Sequence, residues 1–592
     1  MTRKLAKLLA CLVALTMLVG LAACTPSASP STSATGGETS STDDSQGGET
    51  SSTDSSNQEL YQIEMFNTYA NYMGIQGGWF GKIIKDRFNI ELNIIAPQVA
   101  GTGDALYQTR SAAGNLGDII VQPKSRMADC FTAGLLMDMS PYLDDCPNLQ
   151  ALEVAYTAAA DVISGGEGVY AIPGRVSNLP LDEPAGRGIN PEQGVFLRWD
   201  WYYELGAPEI ADMDGLLDVL AQMQEAHPTN ENGDKVYALS AFKDWDGGSV
   251  RAAREMLFLY GYAGVQGWYS STYDGSSIIN YADDGGLYYQ MLQWWNKAYR
   301  MGLVDPDSST QNWDMIASKA NDGRICFSWW TFLGANIHGG NYDPETSNPG
   351  YALVPIQDSV ISNVGYNQYG LEGNAFAMGS SAKYPERIME FLDYYASPEG
   401  LLETNSQIEG VTYEMIDGRP VKTEFALNND PNKEAPEEMG GGLWSDGACQ
   451  INYPLVHADD INPILGEPTN SSLWSSTLES GVNTFTEQWA EVYGTDSPLD
   501  YLKTHDMIEV VPGTDYTTPS DPSDIQTMRA QLNELFAATG WQMIYAESDS
   551  EFETLWNDMK AQLPDFGFNE VDAYDKAIVD EIIAARLEVL GK

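Results

Sequence analysis

Gly194-Val-Phe-Leu-Arg-Trp-Asp-Trp-Tyr-Tyr-Glu-Leu-Gly206 reads as an apolar strand that runs into a helix. The same grammar recurs on either side. Towards the N-terminus, Glu59–Phe66 and Ile90–Ile95 read as strands around a helix over Gly77–Phe88. Leu116-Gly-Asp-Ile-Ile-Val121 reads as a short buried parallel strand, followed by a turn and helix start over Gly134–Leu143. Gly168–Pro173 is another apolar strand, before a polar loop rich in Gly and Pro. Towards the C-terminus, Asp212–Ala226 is an amphipathic helix with Leu216, Leu217, Leu220 and Met223 on one side, and Leu287–Met301 is a second. Gly323–Trp330 is a strand ending in two Trp. Tyr384–Tyr395 opens a helix with Pro385 in its first turn. Ile525–Ala538 and Glu551–Leu563 form a helical C-terminal region. Strands alternating with helices imply an α/β sheet.

The chain has 592 residues, 43% hydrophobic, with 15 Trp, 32 Tyr and 17 Phe, which supplies a sizeable core. Its 84 acidic residues against 31 Lys and Arg give a formal charge of −53. That balance excludes a nucleic-acid binder, because phosphate contacts need cations. It also speaks against docking on anionic lipid through a basic patch. Acidity on this scale favours solubility and names no ligand.

The N-terminus reads as an address. Arg3, Lys4 and Lys7 precede an apolar run, Leu8–Leu21, that is short for a span of ~20 residues but suits a secretory signal. It ends in Leu21-Ala-Ala-Cys24, which resembles the bacterial lipobox, so residues 1–23 are expected to be removed and Cys24 lipidated. Residues 24–58 follow as a tether of Ser, Thr, Gly and acid, in which GGETSSTD occurs at Gly36–Asp43 and Gly47–Asp54. Such a composition cannot bury apolar surface. The expected location is the outer face of a bacterial membrane, held by lipid.

Much chemistry lacks support. The four His (His227, His338, His457, His505) form no His-Glu-x-x-His, and neither a Gly-x-Ser-x-Gly elbow nor a phosphate-binding Gly-x-x-x-x-Gly-Lys-Ser/Thr loop occurs. Cys130, Cys146, Cys326 and Cys449 make no Cys-x-x-Cys. A Cys130–Cys146 disulfide and buried free thiols both fit the spacing. Asn230-Glu-Asn-Gly-Asp234 lacks the spaced acids and distant Glu of a calcium loop, so a plain turn is expected, with no metal and no cofactor.

Several segments, in order, resemble the family 1 extracellular solute-binding proteins of ABC importers, in the long lipoprotein branch described as LipO-like or aldouronate-type. They include Gly117-Asp-Ile-Ile120, Gly134-Leu-Leu-Met-Asp-Met-Ser-Pro-Tyr-Leu143, Val169-Tyr-Ala-Ile-Pro173 and, most specifically, Phe196–Gly206. Met301–Pro306, Lys383–Tyr395, Ile408–Tyr413 and Phe552-x-x-x-Trp556 also fit. The resemblance implies a type II periplasmic-binding-protein-like α/β fold, with two discontinuous lobes joined by crossover strands and a ligand held between them. It places crossovers near 174–178, 365–375 and 420–430. Residues 59–173 and about 374–425 then form one lobe, and about 174–373 with 426–592 the other. It implies a monomeric receptor, not an enzyme, that passes an oligosaccharide to ABC permease subunits. A uronate-containing sugar is suggested by the branch name alone, and Arg126 and Arg175 are the residues that would pair with its carboxylate.

Sugars call for aromatic platforms and planar polar side chains. Trp79, at a helix start after Gly77-Gly78, and Trp329 and Trp330, at a strand end, are placed at the cleft by the resemblance. Adjacent strand residues face opposite ways, so at most one of the pair should face it. Gln122 and Arg126 follow the 118–121 strand, where ligands meet an α/β sheet. Arg175 lies at the first crossover, Glu372 and Asn374 at the second. Trp444, in Gly440-Gly-Gly-Leu-Trp, is expected to be exposed. Arg198, Asp200 and Trp201 match the family well and read as structural. Competing readings are a surface glycoside hydrolase, which would need a carboxylate pair across the cleft, a peptide receptor, and an adhesion protein with a large exposed apolar patch.

Overall fold

The computed structural model describes residues 59–592, apart from 98, 100–103, 188–189, 332, 334–349, 371–373, 429, 431 and 481–483. The chain divides into the units Met1–Asp54 and Ser55–Lys592. The expected signal, Cys24 and the repeats lie outside the described residues, as does Glu372.

The strands that build the fold are, in chain order, β1 (Tyr61–Asn67), β2 (Gly74–Ile75), β3 (Ile90–Ile95), β4 (Ile119–Gln122), β5 (Ile172–Pro173), β6 (Gln193–Arg198), β7 (Phe327–Trp330), β8 (Tyr351–Leu353), β9 (Ile361–Val364), β10 (Ala375–Met378) and β11 (Ile508–Val511). A six-stranded sheet has the order β2-β3-β1-β4-β10-β5. β1 lies parallel to β3 and β4, with Met65 opposite Ile119, and β10 runs antiparallel between β4 and β5. β4 is buried along its whole length, as a strand covered on both faces must be. Alternation sorts its neighbours. Ile63, Met65, Leu92, Ile94, Phe376 and Met378 pack with Trp79, Phe80 and Ile84 of the Gly78–Phe88 helix and Phe391 of the Pro385–Ala396 helix. Phe66, Ile120 and Ala377 face the other way, onto Met127, Cys130 and Ile163.

A second core is built around the antiparallel sheet β7-β6-β8. Phe196, Leu197 and Phe327 pack there with Leu216, Leu217 and Leu220 of the Met213–Ala226 helix. That helix starts where Asp212 Oδ1 accepts from the Gly215 N–H at 2.8 Å. The C-terminal helices, Ser523–Ile544, Asp549–Gln562 and Phe568–Val589, add Leu532, Phe536, Phe552 and Trp556 to this core.

Two segments pass between the cores side by side. The Gly174 N–H donates to the Asn374 carbonyl at 3.0 Å and the Ser177 N–H to that of Asn367 at 3.1 Å. The third passage expected near 420–430 is corrected. Arg419–Lys422 forms a hairpin with Tyr413–Ile416, and Ala435, Ile451 and Leu455 still belong to the first core. Trp474 packs with Leu402, Tyr413 and Leu465, whereas Phe485 packs in the second core. The chain therefore returns between Trp474 and Phe485. Residues 426–455, expected in the second lobe, lie with the first because Ala435, Ile451 and Leu455 are buried in its core, and Leu465 and Trp474 pack in a small separate cluster with Leu402 and Tyr413.

Cys130, Cys146, Cys326 and Cys449 are free thiols. Cys130 and Cys146 sit in clusters on opposite faces of the first sheet, which decides against the disulfide. Burial raises the Cys146 thiol to about 12. The Asn230 side chain closes its own loop, with Oδ1 accepting from the N–H groups of Asn232 at 3.1 Å and Asp234 at 2.8 Å. No helix among the described residues is long and apolar enough to cross a membrane.

Candidate functional site

The carboxyl ends of β1 and β4 and the start of antiparallel β10 meet at one edge of the first sheet, where Gln122 pairs with Ala375 and Asn67 with Val121. Three amide side chains stand there, all buried: Asn67, Gln122 and Asn374. Gln122 Nε2 donates to Thr68 Oγ1, and Asn67 Oδ1 accepts from the Tyr69 N–H at 2.9 Å. The remaining atoms, Asn67 Nδ2, Gln122 Oε1 and Asn374 Nδ2, have no hydrogen-bond partner among the described residues. Each such group costs about 1–3 kcal/mol. Gly174 is required beside them, since a Cβ there would lie 2.3 Å from Asn374 Nδ2. Two donors and one acceptor left open suit hydroxyl groups, which both give and accept.

Aromatic and cationic groups flank this edge. Tyr69 meets Tyr453 edge to face, with centroids 5.6 Å apart, and the Arg175 guanidinium lies 5.6 Å from the Tyr453 ring. Burial, then Tyr453, raises the Tyr69 phenol, against the influence of Arg126. Arg175 also holds His457, with Nη2 3.1 Å from Nε2. Burial and Arg175 push the His457 imidazole down to about 4, opposed by Asp459. Asp459 accepts from Tyr366 Oη and Asn470 Nδ2, each at 2.8 Å. Arg126 lies against Tyr107, 4.8 Å from its ring centre.

The expected aromatic platforms are corrected in part. Trp79 is fully buried, its ring stacked on Trp444 at 4.6 Å and 16°, and its Nε1 donates to the Trp444 carbonyl at 2.9 Å. Gly78 and Gly447 serve packing, since a Cβ on Gly78 would lie 2.2 Å from the Gly447 Cα and a Cβ on Gly447 would come 2.5 Å from Trp79. Trp444 is half-buried between Trp79 and Phe425 and not a free ring. Trp329 and Trp330 are both buried in the second core. Trp329 packs on Trp295, and a register shift in β7 accompanies the pair.

Trp330 is nonetheless the floor of a more open group. Phe242 and Trp245 lie on it at 5.9 and 5.6 Å, and Trp245 stacks on Trp313 at 5.0 Å and 13°. Trp245 is 37% exposed. Neither Trp245 nor Trp313 stood out in the sequence. Trp245 precedes Gly247-Gly248 in a polar loop, the criterion that selected Trp444, and that signal would have found it. A cavity of ≈ 380 Å³ lies in the same lobe, lined in part by Glu192, Gln193, Arg251, Arg254, Glu255 and Ser362. Arg251 joins it to the aromatic group, 5.6 Å from the Trp330 ring centre. Within it Glu255 is committed, one oxygen paired with Arg251 and the other accepting from Gln193 Nε2 at 2.7 Å.

No family model matches the chain. Lipoprotein LipO of Bacillus subtilis is 23% identical over 321 residues, which is 52% of this chain and 59% of LipO, so the match spans less than two thirds of that relative. Three solved structures are similar over nearly their whole length. Alginate-binding protein AlgQ2 without calcium ion has a TM-score of 0.57 at 15% identity, covering 89% of this chain and 98% of its own. The Streptococcus pneumoniae ABC-transporter substrate binding protein FusA in complex with kestose has 0.58 at 15%, covering 88% and 99%. An HMO-binding, ABC-transporter-associated solute binding protein from Bifidobacterium longum infantis has 0.54 at 16%, covering 89% and 100%. The fold is therefore the two-lobed fold of solute-binding proteins, with a helical C-terminal region. These comparisons agree with the sequence resemblance, and the named structures are binding proteins rather than enzymes.

Proposed function

We propose that this chain is a receptor of an ABC importer that captures an oligosaccharide between its two lobes and delivers it to permease subunits. The observation that carries the reading is the set of open amide atoms on Asn67, Gln122 and Asn374 at the carboxyl edge of the first sheet, where an α/β fold binds ligands. Their donors and acceptor match sugar hydroxyls. The exposed ring of Trp245, backed by Trp313 and Trp330, offers a platform for a sugar's apolar face. Similar solved structures named for alginate, kestose and HMO binding support the same ligand class. Cys24 is the proposed anchor, two acyl chains holding the protein at the outer membrane face.

Thermal-shift screening of the purified protein tests the reading, because a ligand that binds only the folded state stabilises it by RT ln(1+[L]/Kd). One class of oligosaccharide should raise the midpoint and be recovered intact. A shift with peptides alone contradicts the sugar reading, and release of cleaved sugar contradicts the receptor reading in favour of a hydrolase. Cys24→Ser should move the protein from the membrane fraction to the medium. Retention on the membrane contradicts the anchor.

A further inference from the structure

Resting on the sugar-receptor reading, we infer that Tyr453 is the first-lobe ring on which the sugar lies, presented by a strained backbone and positioned by Arg175. Among the described residues, seven other than glycine take a left-handed backbone. Five of them are Asn89, Ala207, Ser406, Asp417 and Asp506, all small side chains. The other two, Arg175 at φ 54° and Tyr453 at φ 66°, carry long side chains, for which this conformation crowds the Cβ against a carbonyl oxygen. These two residues touch. The Arg175 N–H donates to the Pro454 carbonyl at 2.9 Å, and the Arg175 guanidinium lies over the Tyr453 ring. Glycine would take either position without strain. What the strain retains is therefore the pair of side chains, and strain of this kind collects at ligand sites.

Tyr453 is 41% exposed, and it and Trp245 are the two most exposed aromatic residues among the described residues. Trp245 belongs to the second lobe, so each lobe offers one open ring. The place of Tyr453 is fixed by its chain neighbours. Asn452 Nδ2 donates to the Tyr69 carbonyl at 2.6 Å, and the Tyr69 N–H in turn donates to Asn67 Oδ1. On the other side, Gly174, which precedes Arg175, packs on the Asn374 amide. The ring is thereby tied to two of the three amides with open atoms, Asn67 and Asn374. Tyr395 Oη anchors it as well, donating to the Tyr453 carbonyl at 3.1 Å. A pyranose has an apolar C–H face and a rim of hydroxyls, so one sugar unit can meet the ring and the open amides together. Arg175 acts through the ring, because His457 Nε2 holds its guanidinium at 3.1 Å. This differs from the role of carboxylate partner that the resemblance implied for Arg175.

Two measurements test it, both with the trisaccharide that binds the native protein best in a panel of gluco-, xylo-, fructo- and uronate-based sugars. In the native protein, nitration of Tyr453 by tetranitromethane, followed by peptide mass spectrometry, should slow several-fold at saturating sugar. In calorimetric titration, Tyr453→Asn, which suits the left-handed backbone, should bind that sugar about tenfold more weakly or worse, and Tyr453→Trp should keep most of the affinity. Arg175→Ala should weaken binding while the ring is present and change nothing in a Tyr453→Asn background. An equal loss in both backgrounds overturns the positioning role of Arg175. Unchanged affinity in Tyr453→Asn, or unchanged nitration with sugar bound, overturns the inference and leaves the sugar receptor standing. No binding of any sugar in the panel by the native protein removes the receptor reading and this inference with it. Nitration of the native protein decides even if a variant fails to fold.

Discussion

Gln122, at the proposed site, differs from a core side chain. Its Oε1 is buried without a partner, so the amide is maintained at a cost to the ligand-free protein. Gln122→Met keeps the shape and removes that cost. We expect its ligand-free midpoint to be unchanged or higher, while the sugar-induced shift falls sharply, both read by thermal unfolding with and without ligand. A lower midpoint with an intact shift would contradict the role. The tryptophans give the converse. Trp79→Ala opens a cavity in the first core and should cost about 3–5 kcal/mol in urea unfolding. Trp245→Ala loses stacking worth about 1 kcal/mol but should weaken sugar binding about tenfold. At this scale the sequence was informative about where polar residues lie in the fold and misleading for aromatics. Gln122 was legible as the end of the 118–121 strand and Asn374 as part of the second crossover, and the structure has both at those places. Trp79 was misread because Gly78 beside it permits close contact with Gly447, a partner hundreds of positions away that no local pattern reveals.

Elements were legible wherever one period ruled. Ile90–Ile95 and the Gly78–Phe88 and Met213–Ala226 helices lie where the apolar spacing predicts them. Gly168–Pro173 shrank to Ile172–Pro173, since the preceding residues bond to the 138–140 turn instead of a strand. The passages between the cores were harder, because Pro454–His457 joins Arg175 and Val176 through backbone bonds of 2.9 Å that only the folded chain brings together. This junction carries a pH dependence. Folding lowers the His457 pKa to about 4 from 6.5, by burial first and then Arg175. Between those values the unfolded chain takes up a proton that the folded chain refuses, so stability falls as pH drops from about 6.5 to about 4, by an amount of order 3 kcal/mol. Burial raises Asp246 to about 6, which acts in the opposite direction as pH falls from about 6 to 3.8. The His457 contribution is therefore read as a difference: urea unfolding of His457→Gln should lose this slope relative to the native protein. Parallel pH profiles would contradict it.

Across the whole molecule, five acids (Glu38, Asp43, Asp44, Glu49 and Asp54) fall in the proposed tether, so nearly all of the 84 belong to the folded part. The negative charge is a property of the folded body. The α/β class and the two-lobed plan were legible because strand–helix alternation is local and the motif order carries the family resemblance. The lobe assignment of 426–455 was not, because it depends on which core buries Ala435, Ile451 and Leu455. A ligand held between lobes should also compact the protein, read as a smaller radius of gyration by small-angle scattering at saturation. The most direct measurement is calorimetric titration of the purified protein with an oligosaccharide panel and a matched peptide panel. The account predicts that one class of oligosaccharide saturates at one molecule per chain and is recovered uncleaved. Heat from peptides alone, or from no oligosaccharide at all, would contradict it.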